Sequence, residues 1–521
     1  MANLVKELQD PSAYPHPTEE ISIVETHISL VFLTGPYAYK IKKAVNLGFL
    51  DFSTLESREY FCREELRLNR RLCRKLYLDV VPVTEQSGKT MIGGNGRIID
   101  YAVKMIQFDR NMEIDTLLAR NRITGKQIDQ ISRTVAEFHE STPAAEPDTP
   151  YGRPETLVKP VRDNFTETER LNRNRHEAEL LEKLKQWTET EYRRRIPLFT
   201  FRKASGCIRE CHGDMHTGNM VLWRKKVMIF DCIEFNRTLS NIDVISEIAF
   251  LVMDLEHSGH PEHAWNFLND YLSLTGDYEG LPLLRFYKTY RAMVRAKVTA
   301  IRYLQEHDPG EKKKTFAEHC SYVSTAVDYT TPGAFGLVIT CGVSGSGKTT
   351  AARKFASLMQ AVHIRSDIER KRLFGLKHLE KSSPEQSRTI YSDNSSDATY
   401  TRLCEIATIC LTNGYTVIVD ATFLRHEERE RFIALGKKRG CPMVILHCKA
   451  PGKLLEERVR KRHEHGRDAS EADHAILLDQ LQNVLPLSAE EEKITVTIDT
   501  SQPSSIESGM KETMARIRTD S

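Results

Sequence analysis

Along the first hundred residues the apolar positions fall in short runs bounded by turn residues. Ile28–Leu33 and Tyr37–Lys42 read as strands joined by Thr34-Gly35-Pro36. The period then lengthens over Leu55–Leu76, where Phe61, Leu68, Leu72 and Leu76 predict one face of a charged helix. Val80–Val83 and Ile98–Phe108 return to strand character around a glycine-rich turn at Gly93–Gly96. From Asp109 to Asp328 the pattern is mainly helical. Ile123–His139 opens on Thr124 as a cap, and Thr166–Arg194 reads as a long charged helix or a helix pair. Strand-like pieces recur there only at Val221–Leu222 and Val227–Phe230.

Residues 328–336 have linker chemistry, and the pattern changes after them. Leu337–Cys341 is an apolar strand followed by a helix from Lys348. Ala361–Ile364 precedes a helix from Asp367, and Val417–Val419 and Met443–His447 each lead into another. Strand–helix alternation predicts a parallel sheet covered on both faces. The expected division is a strand-rich lobe over 1–108, a helical lobe over 109–328, a linker over 329–336, an α/β domain over 337–500 and a tail over 501–521.

Composition changes this picture little. Lys plus Arg number 74 against 72 for Asp plus Glu, so the charge balance gives no sign of a protein coating nucleic acid or a membrane surface. The N-terminus carries no basic segment followed by an apolar run, and no apolar stretch reaches a membrane span. The cysteines number 11, odd and scattered, which fits reduced thiols and a cytoplasmic setting. Cys207, Cys211, His212 and His216 crowd together, but structural zinc sites usually separate two ligand pairs by a longer gap, so zinc is not expected.

The strongest chemical signal is Gly342-Val343-Ser344-Gly345-Ser346-Gly347-Lys348-Thr349, a complete G-x-x-x-x-G-K-[ST] loop between an apolar strand and a helix. Its glycines let main-chain N–H groups curl around phosphate oxygens, and the helix starting there, with Thr350 in its first turn, turns its positive end to the same anion. Lys348 is expected on the β/γ-phosphates of ATP or GTP, and the Thr349 hydroxyl on Mg²⁺. Asp367 ends the next strand, where a carboxylate can accept the proton of an incoming hydroxyl; the bland reading is a helix cap. Asp420 ends the strand Val417–Val419 and suits either a water-mediated hold on Mg²⁺ or a substrate contact. Arg458 and Arg462 share a helix face, as a phosphate-covering pair or as a solvated basic surface.

Asp367-Ile-Glu-Arg370 resembles the acceptor motif of small P-loop kinases, including polynucleotide-kinase-like, gluconate-kinase-like and zeta-toxin-like proteins. That resemblance implies Asp367 as base, Arg370 on the acceptor, Arg458 and Arg462 in a lid over the phosphates, and Gly466–Asp473 as its mobile continuation.

A second motif lies upstream. His212-Gly213-Asp214 with Asn219 five residues beyond the acid, then Val227-Met-Ile-Phe-Asp231, keeps the kinase catalytic-loop spacing. One carboxylate would orient the acceptor, and an amide plus a second carboxylate would hold Mg²⁺. This arrangement resembles the aminoglycoside phosphotransferase family more closely than the protein kinases. The resemblance implies Lys40 on the nucleotide phosphates and Glu65 as its partner, with Lys42 and Glu64 as alternatives. It also implies Asp214 as base, Asn219 and Asp231 on metal, and Asp243 as support for the catalytic loop. It departs from the family in its short Thr34-Gly35-Pro36 turn and in Cys232-Ile233-Glu234 after Asp231.

Over nearly the whole chain the combination resembles a bacterial fusion of an aminoglycoside-phosphotransferase-like domain with a P-loop kinase. It implies an α+β protein-kinase-like, two-lobed domain followed by an α/β P-loop domain. The implied activity is a bifunctional ATP-dependent transfer of phosphate to a hydroxyl on a small metabolite or nucleoside. Two alternatives stand beside it: a P-loop kinase or ATP switch with a non-catalytic kinase-like module, and a polynucleotide 5′-hydroxyl kinase.

Overall fold

The computed structural model describes residues 2–46, 50–171, 175–383, 393–465 and 469–519. Gly466–Asp468, the start of the expected mobile segment, lie outside the described residues. The chain forms two compact units, Met1–Leu171 with Glu189–Asp254, and Asn172–Thr188 with Leu255–Ser521.

In the first unit, β1 (Ser22–Glu25), β2 (Ser29–Leu33), β3 (Tyr37–Lys42), β4 (Tyr77–Gln86), β5 (Lys89–Ile92) and β6 (Arg97–Ile106) form an antiparallel sheet in the order β1-β2-β3-β6-β4-β5. Phe32 pairs with Tyr39 across β2 and β3, and both are fully buried with Leu30, Ile41, Val83 and Ala102. Between β3 and β4 runs α1 (Leu55–Cys73), capped by the Thr54 hydroxyl, which accepts from Ser57 N at 3.1 Å. Its buried stripe is Cys62, Glu65, Leu68, Asn69 and Cys73, displaced from the expected Phe61 and Leu72 face. The displacement has an electrostatic cause: a fully buried carboxylate sits in the stripe because two lysines neutralise it.

The helical part of this unit carries α2 (Gly125–Ser141), whose Thr124 N–H donates to Gln127 Oε1 at 2.9 Å, as the cap reading expected. The expected helix or helix pair is a pair, α3 (Pro154–Glu169) and α4 (Arg175–Ala204), of which the part from Glu189 belongs to this unit. Two small antiparallel pairs follow: β7 (Ile208–Glu210) with β10 (Asn241–Asp243), and β8 (Met220–Trp223) with β9 (Lys226–Ile229). The catalytic-loop motif lies between β7 and β8, and α5 (Val244–His257) packs beneath it. An antiparallel sheet with one helix, followed by a helical lobe bearing this loop, is the protein-kinase-like α+β arrangement.

The second unit opens with α6 (Pro261–Thr275), α7 (Leu281–Gln305) and α8 (Pro309–Asp328). By their contacts these helices group with the sheet that follows them. The reason is visible at α6. Asn269 Nδ2 donates to Ala361 O at 2.9 Å and its Oδ1 accepts from His363 N at 2.9 Å, so one side chain satisfies the edge strand of the sheet.

That sheet is parallel, in the order β12-β13-β11-β14-β15, from β11 (Leu337–Cys341), β12 (Val362–Arg365), β13 (Val417–Asp420), β14 (Met443–Lys449) and β15 (Thr495–Asp499). The central β11 is buried at every position, as a strand covered on both faces requires. Around it run α9 (Lys348–Met359), α10 (Ser366–Leu373), α11 (Asp393–Thr412), α12 (His426–Arg439), α13 (Gly452–His465), α14 (His474–Asn483) and α15 (Pro503–Thr519). The tail expected over 501–521 holds α15: Ile517 is buried in the core, and Ile506 and Met510 pack against it at helical spacing. Among the described residues, no helix is long and apolar enough to cross a membrane.

Candidate functional site

In the second unit the loop 342–347 leaves the buried β11 and enters α9 at Lys348. Gly345 and Gly347 take φ of 81° and 85°, the left-handed region that glycine enters without strain. A Cβ at Gly345 would stand 2.7 Å from Leu455 O, so the close approach also requires glycine. The N–H groups of Gly345 and Gly347 donate to no protein acceptor among the described residues, and the first helical turn leaves further N–H groups open. Lys348 is buried and its Nζ donates to Val343 O at 2.9 Å across the loop. Burial pulls its ammonium below the ordinary lysine range, against the opposing charges of Asp420 and Asp367. A positive cradle of this kind fits a polyphosphate.

A cavity of about 700 Å³ opens over the loop. It brings together Ser344, Gly345, Gly347, Lys348, Thr349 and Thr350 with Asp367, Arg370, Asp420, Arg458 and Arg462. Gly342, Val343 and Ser346 shape the loop from behind. Gly342 N donates to Thr422 O at 3.0 Å, Val343 takes the lysine, and Ser346 O accepts from the Thr500 hydroxyl at 2.7 Å. Arg458 donates to Gly345 O at 3.2 Å and to Thr500 Oγ1 at 2.8 Å, which ties α13 to the loop. Arg462 donates to Ala472 O at 2.9 Å.

Asp420 is buried, 3.3 Å from His363 Nε2 and 4.0 Å from Arg365 Nε. Burial alone would raise its carboxyl, but the His363 contact and the charges of Arg365 and Lys348 hold it below the usual carboxylate range. An ionised acid beneath the phosphate cradle fits an outer hold on Mg²⁺, with the Thr349 hydroxyl nearer the loop. At the other end of the cavity, Arg370 Nη1 donates to Ser396 Oγ at 3.3 Å, beside Tyr400, Arg425 and Glu428.

The first unit assembles its group from separate elements. Lys40 on β3 lies 2.8 Å from Glu65 of α1 and 2.5 Å from Asp231 after β9. Lys42 lies 2.8 Å from the other oxygen of Glu65 and pairs with Glu234. The alternatives left open by the sequence are therefore joined, since Glu65 holds both lysines, whereas Glu64 pairs outward with Arg67 at 2.8 Å. Burial would lower the Lys40 ammonium, but Asp231, Glu65 and Glu234 hold it well above the lysine range. Asp231 has φ of 67°, a left-handed conformation uncommon outside glycine that aims its half-exposed carboxylate toward the lysine.

Asn219 Nδ2 donates to Asp214 O at 3.0 Å and to its Oδ2 at 3.1 Å, which fixes the carboxylate and leaves the amide oxygen as an acceptor. His212 Nε2 donates to the Phe230 carbonyl at 2.7 Å while its Nδ1 accepts from Asp214 N at 3.2 Å, the pattern of a neutral imidazole. Burial keeps it below the ordinary histidine value. Asp214, Asn219 and Asp231 offer the two carboxylates and amide oxygen that a hard cation takes.

The support for this loop was missed in part. Asp243, expected in that role, forms a buried two-pronged pair with Arg202 at 2.7 and 2.8 Å. Glu247 instead accepts from His212 N at 2.8 Å and Gly213 N at 3.1 Å, and Asp254 accepts from Thr217 N and its hydroxyl at 2.8 and 2.6 Å. The only signal for them is helical spacing on α5. Cys211 packs with His139 and Glu247, all buried, their polar atoms within 4.8 Å of one another. Cys207, His212 and His216 do not join that group.

Residues 337–487 match a family described as an AAA domain. An uncharacterized protein of Mycobacterium tuberculosis (strain ATCC 25618 / H37Rv) is 27% identical over 464 residues, covering 88% of this chain and 91% of its own. Among solved structures, a choline/ethanolamine kinase family protein from Mesorhizobium loti is 11% identical with a TM-score of 0.37, covering 63% of this chain and 99% of its own. A sugar kinase from Janibacter sp. HTCC2649 is 21% identical with a TM-score of 0.28, covering 35% of this chain and 94% of its own. The second unit's residues 337–487 match the AAA domain family, and the first unit has the α+β arrangement described above.

Proposed function

We propose that this protein is an ATP-dependent phosphotransferase with a catalytic site in each unit, acting on hydroxyl groups of small molecules. The observation that carries the reading is the single cavity uniting the open N–H cradle and buried Lys348 with Asp367, Arg370, Arg458 and Arg462. Lys348 and the loop amides hold the terminal phosphates of the nucleotide, and Asp367 takes the proton of the acceptor hydroxyl. Arg458 and Arg462 lower the charge on the phosphoryl group as it transfers, and Arg370 orients the acceptor. A bound Mg²⁺ supplies charge neutralisation between the phosphates, with Thr349 and Asp420 as its protein partners.

The first unit supports the same chemistry by other means. Lys40, tied to Glu65, meets the nucleotide phosphates; Asp214, fixed by Asn219, receives the acceptor proton; Asn219 and Asp231 hold Mg²⁺. ATP is the proposed donor in both units, with GTP as the alternative, and a cytoplasmic setting goes with both.

Incubation of the full chain with γ-labelled ATP and a panel of hydroxylated metabolites and nucleosides tests the proposal. Label is expected on one acceptor lost with Asp367→Asn and on another lost with Asp214→Asn. Wild-type label transfer that neither variant changes would overturn it.

A further inference from the structure

Helix α14 roofs the P-loop cavity and is anchored at both ends. Ile476 N donates to the Asp473 cap at 2.9 Å, and just past the helix Leu485 N donates to Leu424 O at 3.1 Å. Between them Leu477 is fully buried against Val343, Leu455 and Val459. This packing turns Ile476, Asp479, Gln480 and Asn483 to the cavity. Burial accounts for Leu477 but not for the contact one turn on, where Ser344 N donates to Gln480 Oε1 at 2.7 Å.

That contact is chemically specific. The neighbouring amides of Gly345 and Gly347 are open to an anion, while Ser344 N is satisfied by a neutral side-chain oxygen from another helix. A carboxamide bonded through its oxygen still has two N–H donors on Nε2. Ser344 lies near the start of the loop, away from the α9 end, and lines the same cavity as Asp367, Arg370, Thr422 and Leu424. On the nucleotide reading, the last phosphate of a triphosphate, the one passed toward Asp367, is the phosphate nearest this end of the loop.

On the nucleotide reading of the loop given above, we infer that Gln480 is a positioning residue that reads the terminal phosphate. Its oxygen keeps the Ser344 N–H, and its Nε2 donates to a γ-phosphate oxygen. A diphosphate leaves that donor unused. The side chain thereby links the presence of a transferable phosphate to the seating of α14 over the acceptor half of the cavity.

The test compares two probes on the full chain by titration calorimetry: Mg-ADP and a magnesium complex of a non-hydrolysable ATP analogue. Gln480→Glu keeps the oxygen, the length and the packing but replaces the donor with a negative charge. Gln480→Ala removes both groups. The wild type is expected to favour the triphosphate by about tenfold. Gln480→Ala should narrow that preference to about twofold, and Gln480→Glu should reverse it, with Mg-ADP affinity within about twofold of wild type in both. An unchanged ratio overturns the assignment, as does an equal loss for both probes, which would mark a structural tie only. An equal gain for both would mark a placeholder displaced by any nucleotide and also overturns it. Wild-type protein that binds neither probe overturns the nucleotide reading itself, so the two failures are distinguishable.

Discussion

The two units assemble comparable groups of charge by opposite routes. In the second, the cradle is main chain: consecutive N–H groups of one loop, with one buried lysine bonded back across it to Val343. In the first, the cradle is side chain: Lys40, Lys42, Glu65, Asp231 and Glu234, gathered from one strand, a helix and the loop after β9. A main-chain cradle is held by local conformation, so its lysine is not needed to hold the charges together. A side-chain cradle is held by its own ion pairs, so some of its charges serve structure. Within it, Lys42 is wholly buried between two carboxylates, whereas Lys40 reaches the half-exposed Asp231. On the proposed function, Lys42 serves the fold and Lys40 the phosphates.

The largest expected effect concerns catalysis in each unit separately. Asp367→Asn and Asp214→Asn should each lower transfer to their own acceptor by about 10²–10⁴-fold, as loss of a general base does, while nucleotide affinity stays within about twofold. Steady-state kinetics on the two acceptors checks this. A variant that lowers both transfers equally would erase the contrast.

Next comes stability. Lys42→Met takes the paired lysine from buried Glu234 and one of two lysines from buried Glu65, and should destabilise the first unit by about 3–5 kcal/mol in urea melts. Lys40→Met should cost clearly less, because Asp231 can turn to solvent, yet remove phosphotransfer in that unit. If Lys40→Met proves the more destabilising, the assignment of roles is reversed.

A smaller effect should appear in acid. Burial, assisted by the charges of Arg209 and Arg71, lowers His139 from 6.5 to about 3. Below pH 6.5 the unfolded chain takes a proton that the folded chain refuses. The stability of the first unit should therefore fall by about 1.4 kcal/mol per pH unit as pH drops from 6.5 toward 3. Stability is fully present above 6.5. His139→Gln should flatten that slope in pH-dependent urea melts, and an unchanged slope would assign it to other groups.

The same contrast governs what the sequence made legible. The P-loop could be read outright because its chemistry is contiguous: eight residues, a strand before and a helix after. Asp214, Asn219 and Asp231 were legible by spacing within one stretch. Lys40 and Glu65 could be named only with Lys42 and Glu64 beside them, because their pairing depends on which face of α1 is buried, and there apolar periodicity pointed to Phe61 and Leu72. Glu247 and Asp254 carried only their helical spacing on α5, and Gln480 carried no signal; each acts on a backbone amide distant in sequence. The strand–helix alternation after Leu337 gave the parallel sheet. The attachment of 255–328 to that sheet did not show, because it runs through side chains such as Asn269 that mimic a strand edge. Ile506, Met510 and Ile517 mark α15 at helical spacing, but polar residues dilute the pattern there.

The central claim is that the loop over Gly342–Thr349 grips the terminal phosphates of a nucleotide. Its most direct test is titration of the folded full chain with magnesium-complexed ATP analogue, for wild type and Lys348→Ala. The account predicts a saturable site in the wild type whose affinity falls at least about a hundredfold in the variant, with the melting profile nearly unchanged. A wild type without measurable affinity, or a Lys348→Ala variant that keeps the site at full strength, would contradict it.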